Sequence, residues 1–336
     1  MARRHIRHKK KEMIKKALAA LAFLLLVSLG LFFMHRWEDR DAAEIEPAYS
    51  GQQETGYLIY QDKKYVKKDV DTVLLIGIDK FAEEVSYDSY NNQQQADFLL
   101  LLVMDDAAKT CTPIHINRDT MAEVPVLSLT GEVIGTTEQQ ITLAHTYGSG
   151  KEDSCENTAL AVSSLLWDEV SIQHYISTTM DAVQTLNDMV GGVSVTVEDD
   201  FSGIDDTLVQ GQQVTLMGKQ ALTFVRSRKG MDDNTNIARM ERQRQYLDGL
   251  RSRVVEKINT DALFALDALA QIGDYIVSDC TINQLAEITD DVMNYEMKPI
   301  RVLEGRSFVG EVHMEYYLDE DALLELMVDL FYQPAE

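Results

Sequence analysis

Two uninterrupted apolar runs, VLLIGI at Val73–Ile78 and FLLLLVM at Phe98–Met104, constrain this chain more than any other feature. Successive side chains of a strand point to opposite faces, so a strand with no polar alternation is covered on both sides. Each run is too short for a stand-alone helix and is bounded by charged or glycine-containing segments. A third strand, PIHIN at Pro113–Asn117, follows them. Together they predict the interior of a sheet.

Helical and extended patterns then alternate. Glu156–Trp167 carries apolar residues at helical spacing, and Ser177–Met189 reads as a helix that turns at Gly191-Gly192 into the alternating VSVTV of Val193–Val197. A strand-like segment, KQALTFVRS at Lys219–Ser227, precedes a polar loop and a long helix over Ile237–Ile258. Two amphipathic helices (Asp261–Tyr275 and Ile282–Asn294), a strand-like KPIRVLEGRSFVGEVHMEYY and a final helix at Asp319–Tyr332 complete the chain. Upstream, YLIYQDKKYVKK at Tyr57–Lys68 alternates about Asp62-Lys63 as a small hairpin. The order predicts an α/β fold, with a central mixed β-sheet flanked by helices on both sides.

The N-terminal segment fixes a compartment. ALAALAFLLLVSLGLFFM at Ala17–Met34 holds no charge and, at about 1.5 Å per residue, forms a helix close to the hydrocarbon thickness of a bilayer. The sixteen residues before it carry eight Lys/Arg and one Glu, whereas those after it are net acidic. The positive-inside bias therefore predicts an uncleaved signal anchor with a cytoplasmic N-terminus and an extracytoplasmic body. Of the 31 Lys/Arg and 55 Asp/Glu in the chain, 23 and 54 lie beyond the tail, a net charge of −31. So acidic a body argues against a nucleic-acid partner. The organisation expected is a basic tail (1–16), a transmembrane anchor (17–34), a juxtamembrane linker (35–56), a main domain with its N-terminal hairpin (57–260) and C-terminal elements completing the same domain (261–336). Cys111, Cys155 and Cys280 would sit where disulfides persist, and a Cys111–Cys155 bridge is one option against three inert thiols.

Charged residues at strand ends mark the candidate chemistry. Asp79 closes the first run, Asp97 opens the second, and Arg118-Asp119 follows the third. α/β sheets place ligand sites at such ends. Two carboxylates suit a hard cation and an arginine beside them suits an anion, although an Asp at a strand end also caps loops. A second group is FVRSRKG, read as extended, which would put Arg226 and Arg228 on one face. In IARMERQRQYL, Arg239 and Gln243 are four apart on one helix face, with Arg242 beside Gln243. Four arginines within seventeen residues of so acidic a chain favour an oligoanion over a merely solvated face. The sequence holds no HExxH, Walker A, GxSxG or CxxC pattern, and His145, His174 and His313 read as structural hydrogen-bonders.

In this order, VLLIGID, ADFLLLLVMDD, INRDT, ITLAHTYGSG, LNDMVGGVSVTV, LMGKQALTFVRSR and IARMERQRQYL resemble the LytR-CpsA-Psr family of Gram-positive bacteria, over about Asp71 to Leu250. The resemblance implies a phosphotransferase that moves a glycopolymer from a polyprenyl-pyrophosphate carrier in the membrane onto a peptidoglycan acceptor. It further implies that Asp79 and Asp97 hold Mg²⁺ and that Arg118, Arg226, Arg228, Arg239 and Gln243 bind the pyrophosphate. The acceptor proton would go to Asp79, Asp97 or Asp119. This chain departs from the family pattern at Asn117, where a proline is usual before the Arg-Asp pair, and at Asn236, where an Asp is usual. The competing expectations are a non-catalytic or regulatory polyprenyl-pyrophosphate-binding protein of the envelope, and a lipid pyrophosphatase using water as nucleophile.

Overall fold

In a computed structural model, the described residues are 57–81, 90–227 and 242–335, less 243–244, 247–248, 251, 255, 258–259, 262–263 and 311–312. They form two compact units, one within 57–176 and 294–335 and the other within 177–293. The apolar run at 17–34 lies outside the described residues, among which no helix is long and apolar enough to cross a membrane.

The larger unit begins with β1 (Leu58–Tyr60) and β2 (Lys63–Lys67), an antiparallel hairpin. Its turn is Gln61-Asp62, one residue before the expected Asp62-Lys63, and both turn residues have positive φ (49° and 61°). Those values suit the right-handed twist of a two-residue hairpin, for which Asp is a tolerant residue. β3 (Asp71–Ile78) and β4 (Ala96–Asp105) contain the two apolar runs and pair antiparallel. Val73 to Ile76 and Phe98 to Met104 are all buried, so both faces of these strands are covered. β5 (Thr110–Ile116) pairs antiparallel with β4.

A hairpin of β6 (Met121–Leu127) and β7 (Val133–Gln140) then leads into a 3-10 turn at Ile141–Thr146 and helix α1 (Glu152–Leu165). Sequence patterning does not reveal this hairpin. Most of β7 is exposed on both faces, so it carries no apolar alternation. β8 (His174–Thr179) follows, and the stretch Ser177–Thr179 expected to open a helix is instead the end of this strand.

In the inserted unit, α2 (Met180–Met189) reaches the Gly191-Gly192 turn and β9 (Val193–Thr196), which pairs antiparallel with β10 (Gln213–Leu216). α3 (Lys219–Arg226), α4 (Phe264–Ile272), β11 (Ile276–Ser278) and α5 (Ile282–Asn294) complete it. One apolar cluster unites Val193, Val195, Phe201, Phe224, Tyr246 and Leu250.

The chain then returns to the larger unit. β12 (Glu296–Met297) and β13 (Arg301–Val302) both lie parallel to β5. The expected single C-terminal strand is thus broken into these pieces and a hairpin, β14 (Gly305–Val309) with β15 (Met314–Leu318). Helix α6 (Glu320–Phe331) starts at Asp319, whose carboxylate accepts from the backbone N–H groups of Asp321 and Ala322 at 3.1 Å. β16 (Tyr332–Pro334) ends the chain antiparallel to β2. The central strands of the larger unit lie in the order β8-β3-β4-β5-β12, a mixed sheet in an α/β fold.

Candidate functional site at the ends of the central strands

A β-bulge builds the site. Gly77 lies opposite Phe98 and Ile78 opposite Ala96, so Asp97 is the extra residue of the bulge. Bulges re-aim side chains in this way, and the Asp97 side chain is 42% exposed at the edge of an otherwise buried strand. Gly77 makes this possible, because a Cβ there would stand 2.9 Å from the Cβ of Phe98. Asp79 follows directly on β3 and is half-buried.

Arg118 arrives from the neighbouring strand. The β4–β5 register ends at Leu99 opposite Ile116; two further steps bring Arg118 across from Asp97. Asn117 shapes the turn between them: its side-chain oxygen accepts from the Asp119 N–H at 3.0 Å and its carbonyl accepts from the Thr120 N–H at 3.1 Å. The stiffness that a proline would supply here comes from an Asx turn instead.

The Arg118 guanidinium uses all its edges. Nη1 donates to Asp97 Oδ1, Nη2 donates to Gln95 Oε1 at 2.5 Å, and Nε lies 3.5 Å from Asp119 Oδ1. Asp119 Oδ1 also accepts from Gln140 Nε2 at 2.9 Å, and the same amide donates to the Met314 carbonyl at 2.7 Å. Gln95 and Gln140 were not among the sequence candidates. Gln95 precedes β4 by one residue, and its closeness in sequence to Asp97 is the one signal that could have found it. Gln140 has none.

A partly buried polar cluster gathers around Asp153. Asp153 accepts from Tyr90 OH, from Ser149 Oγ at 2.5 Å and from the Ser149 N–H at 3.0 Å. Burial disfavours its charge, but these hydrogen bonds outweigh burial and hold its pKa below the ordinary carboxylate value. The same contact pushes the Tyr90 phenol up to about 12. Gly148, at φ +96°, lets this carboxylate approach, since a Cβ there would lie 2.7 Å from Asp153 Oδ2. His145 is fully buried, and burial lowers its pKa to about 4. Its Nε2 is 3.8 Å from the Cys155 thiol, and Cys111 and Cys155 are separate buried thiols with no bridge between them.

The arginine group expected downstream divides. Lys219–Arg226 is helical, because Ala221, Phe224 and Val225 repeat at three and four and bury one face. The extended reading that aligned Arg226 with Arg228 therefore falls; Arg226 is the exposed last residue of α3. Arg228, Asn236, Arg239 and Gln243 lie outside the described residues. Arg242 is a structural arginine, 4% exposed: Nη1 pairs with Asp199, Nε and Nη2 donate to the carbonyls of Phe224 and Ser227, and the guanidinium stands 5.5 Å over the Phe201 ring.

The model of the LytR_cpsA_psr family matches residues 33–327. Among curated relatives, the chain is similar to a polyisoprenyl-teichoic acid–peptidoglycan teichoic acid transferase TagU of Enterococcus faecalis, 26% identical over 273 residues, 78% of this chain and 79% of the relative. A TagU of Oceanobacillus iheyensis is 28% identical over 228 residues, which cover 68% of this chain and 65% of that one. Among solved structures, Bacillus subtilis TagV superposes with a TM-score of 0.53 at 22% identity, over 79% of this chain and 97% of TagV. The gbs0355 protein of Streptococcus agalactiae does so with a TM-score of 0.57 at 18% identity, over 78% and 86%. These two likenesses are of fold.

Proposed function

The chain belongs to the LytR-CpsA-Psr family, and from that premise we propose that it is a phosphotransferase that attaches a glycopolymer, carried on polyprenyl pyrophosphate, to peptidoglycan. The observation that carries this reading is Arg118, an arginine with three edges engaged by Asp97, Gln95 and Asp119 at the open end of a rigid, doubly buried sheet. A guanidinium held this way is aimed before substrate arrives, and preorganised charge is what a transferring phosphoryl group requires.

In the proposed reaction a hydroxyl oxygen of the acceptor forms a bond to the sugar-side phosphorus, and the bond from that phosphorus to the bridging oxygen breaks. Polyprenyl phosphate leaves with the electron pair, and the acceptor's proton passes to a carboxylate, Asp79, Asp97 or Asp119. Arg118 neutralises the pyrophosphate oxygens and orients them in line. The family resemblance implies a pyrophosphate-binding role for Arg226, Arg228, Arg239 and Gln243 as well.

The donor set fits a hard cation: an exposed carboxylate turned outward at a bulge, with a second carboxylate on the adjoining strand end. Asp79 and Asp97 would hold Mg²⁺, which when bound supplies further charge neutralisation at the phosphates. The basic tail and the apolar run at 17–34 support an anchored protein with its body outside the cytoplasm, in the same plane as its lipid-borne substrate.

The test uses the full chain in lipid vesicles with a polyprenyl-pyrophosphate-linked glycopolymer, peptidoglycan and Mg²⁺. Release of polyprenyl phosphate together with polymer joined to the acceptor is expected. An Arg118→Ala protein with full activity overturns the reading. Carrier binding without release points to a binding protein, and release of polymer phosphate without attachment to a pyrophosphatase.

A further inference from the structure

Thr142 binds the main chain of Arg118 and of Ala96, the residue just before Asp97. Its N–H donates to the Arg118 carbonyl at 3.1 Å, and its hydroxyl donates to the Ala96 carbonyl at 2.9 Å. Thr142 is fully buried, so neither bond competes with water. One residue along, the Ile141 N–H donates to the Thr120 carbonyl at 2.7 Å. One 3-10 turn thus ties the chain just before Asp97 to the chain around Arg118.

His145, on the same turn, holds the carbonyl two residues further back. Its Nδ1 lies 3.0 Å from the Gln94 carbonyl oxygen. A carbonyl can only accept, so Nδ1 carries the proton, and a neutral imidazole then offers Nε2 as acceptor to the Cys155 thiol. Asn92 is tied to the same turn, donating from Nδ2 to the His145 carbonyl at 2.8 Å. Residues 94 and 96 are therefore clamped by their backbone carbonyls, and the residues that directly follow them, Gln95 and Asp97, are the two that receive the Arg118 guanidinium.

We infer that Thr142 and His145 are positioning residues for the phosphotransfer site: the Ile141–Thr146 turn sets the separation and aim of Asp97, Gln95 and Arg118. The inference rests on the function proposed above and adds the residues that hold its geometry. Both residues are fully buried. Their effect passes through the Arg118 contacts, and small misplacements of such a constellation are costly: about 1 Å can lower a rate by about a hundredfold.

The experiment compares the full-length parent, Thr142→Val and Thr142→Ser in the vesicle assay. Valine keeps the shape and loses the hydroxyl, leaving the Ala96 carbonyl short of its partner; serine keeps the donor. Thr142→Val is expected to lower kcat by about tenfold or more with KM nearly unchanged, and Thr142→Ser to recover most of the parent's kcat. A second readout does not depend on turnover. In ¹⁵N-arginine-labelled full-length protein in detergent micelles, the parent is expected to show slowly rotating, individually resolved Nη signals for Arg118, Thr142→Val averaged ones, and Thr142→Ser resolved ones again. Parental kcat and resolved Arg118 signals in Thr142→Val overturn the inference, as does a Thr142→Ser protein as impaired as Thr142→Val. A parent with no transfer activity overturns the proposed function instead; the Arg118 signals then still decide whether the turn sets the pair.

Discussion

Arg118 faces Asp97 across the β4–β5 edge, two register steps past the last paired residues, Leu99 and Ile116. Both side chains are partly exposed, 30% and 42%, so the pair adds little to stability. Its value lies in arrangement. Asp97 is available because a bulge turns it outward, and Arg118 is available because an Asx turn stops β5 two residues earlier. In the function proposed above, an incoming pyrophosphate would compete with a carboxylate for a guanidinium already aimed.

Replacing that guanidinium by an ammonium keeps the charge and loses the fork. Lysine cannot engage Asp97, Gln95 and Asp119 at three edges. Arg118→Lys is expected to lower kcat/KM by about a hundredfold, measured as polyprenyl phosphate released. A loss under threefold would show that only the charge matters.

Asp97→Asn removes a charged oxygen donor at a site where little packing depends on it. The Mg²⁺ concentration giving half-maximal activity is expected to rise about tenfold or more, with Tm nearly unchanged. Chelation of divalent ions is expected to abolish transfer in the parent. Unaltered metal dependence in Asp97→Asn removes this residue from the metal set.

Which of these features were legible in the sequence follows from the range of the forces involved. The doubly buried strands are readable because a run such as VLLIGI has no amphipathic alternative, and the strand-end positions of Asp79, Asp97 and Arg118 because charge at the end of such a run stands out. Gln95 and Gln140 are neutral amides whose roles exist only through partners brought close by folding. α3 was misread because KQALTFVRS is short enough to fit both periods, and only burial of Ala221, Phe224 and Val225 on one face decides between them. The β6–β7 hairpin was missed because exposed strands need no apolar alternation.

Gly77→Ala tests the bulge. The added methyl would meet the Phe98 Cβ at 2.9 Å, two backbone-fixed atoms with no flexible side chain to give way. A loss of about 1–3 kcal/mol in urea unfolding is expected, as for overpacking elsewhere. Activity at temperatures where the variant stays folded is expected to fall as well, because Asp97 moves with the bulge. A stable, fully active Gly77→Ala protein would mean that the bulge tolerates a side chain.

His145 makes stability fall in mild acid. Its folded pKa, about 4, lies below the usual 6.5, so between these values the unfolded chain binds more protons. The contribution is complete above about pH 6.5 and is lost as pH falls toward 4, on the order of 2 kcal/mol by pH 5. His145→Asn is expected to flatten the stability profile across this window. An unchanged slope in chemical unfolding at pH 5, 6 and 7 would refute the assignment.

Arg242 distinguishes a structural arginine from a substrate-binding one. It is buried with Asp199, two carbonyls and the Phe201 ring as partners, so Arg242→Met leaves a carboxylate and two main-chain acceptors without their donor. Removing one member of such a pair costs about 3–5 kcal/mol. Asp199 is 22% exposed, so Asp199→Asn, which keeps the shape and an acceptor oxygen, is expected to cost less than Arg242→Met. KM for the lipid-linked substrate is expected to stay at the parent's value in Arg242→Met below its lowered Tm. A several-fold rise in KM without loss of stability would place Arg242 with the substrate instead.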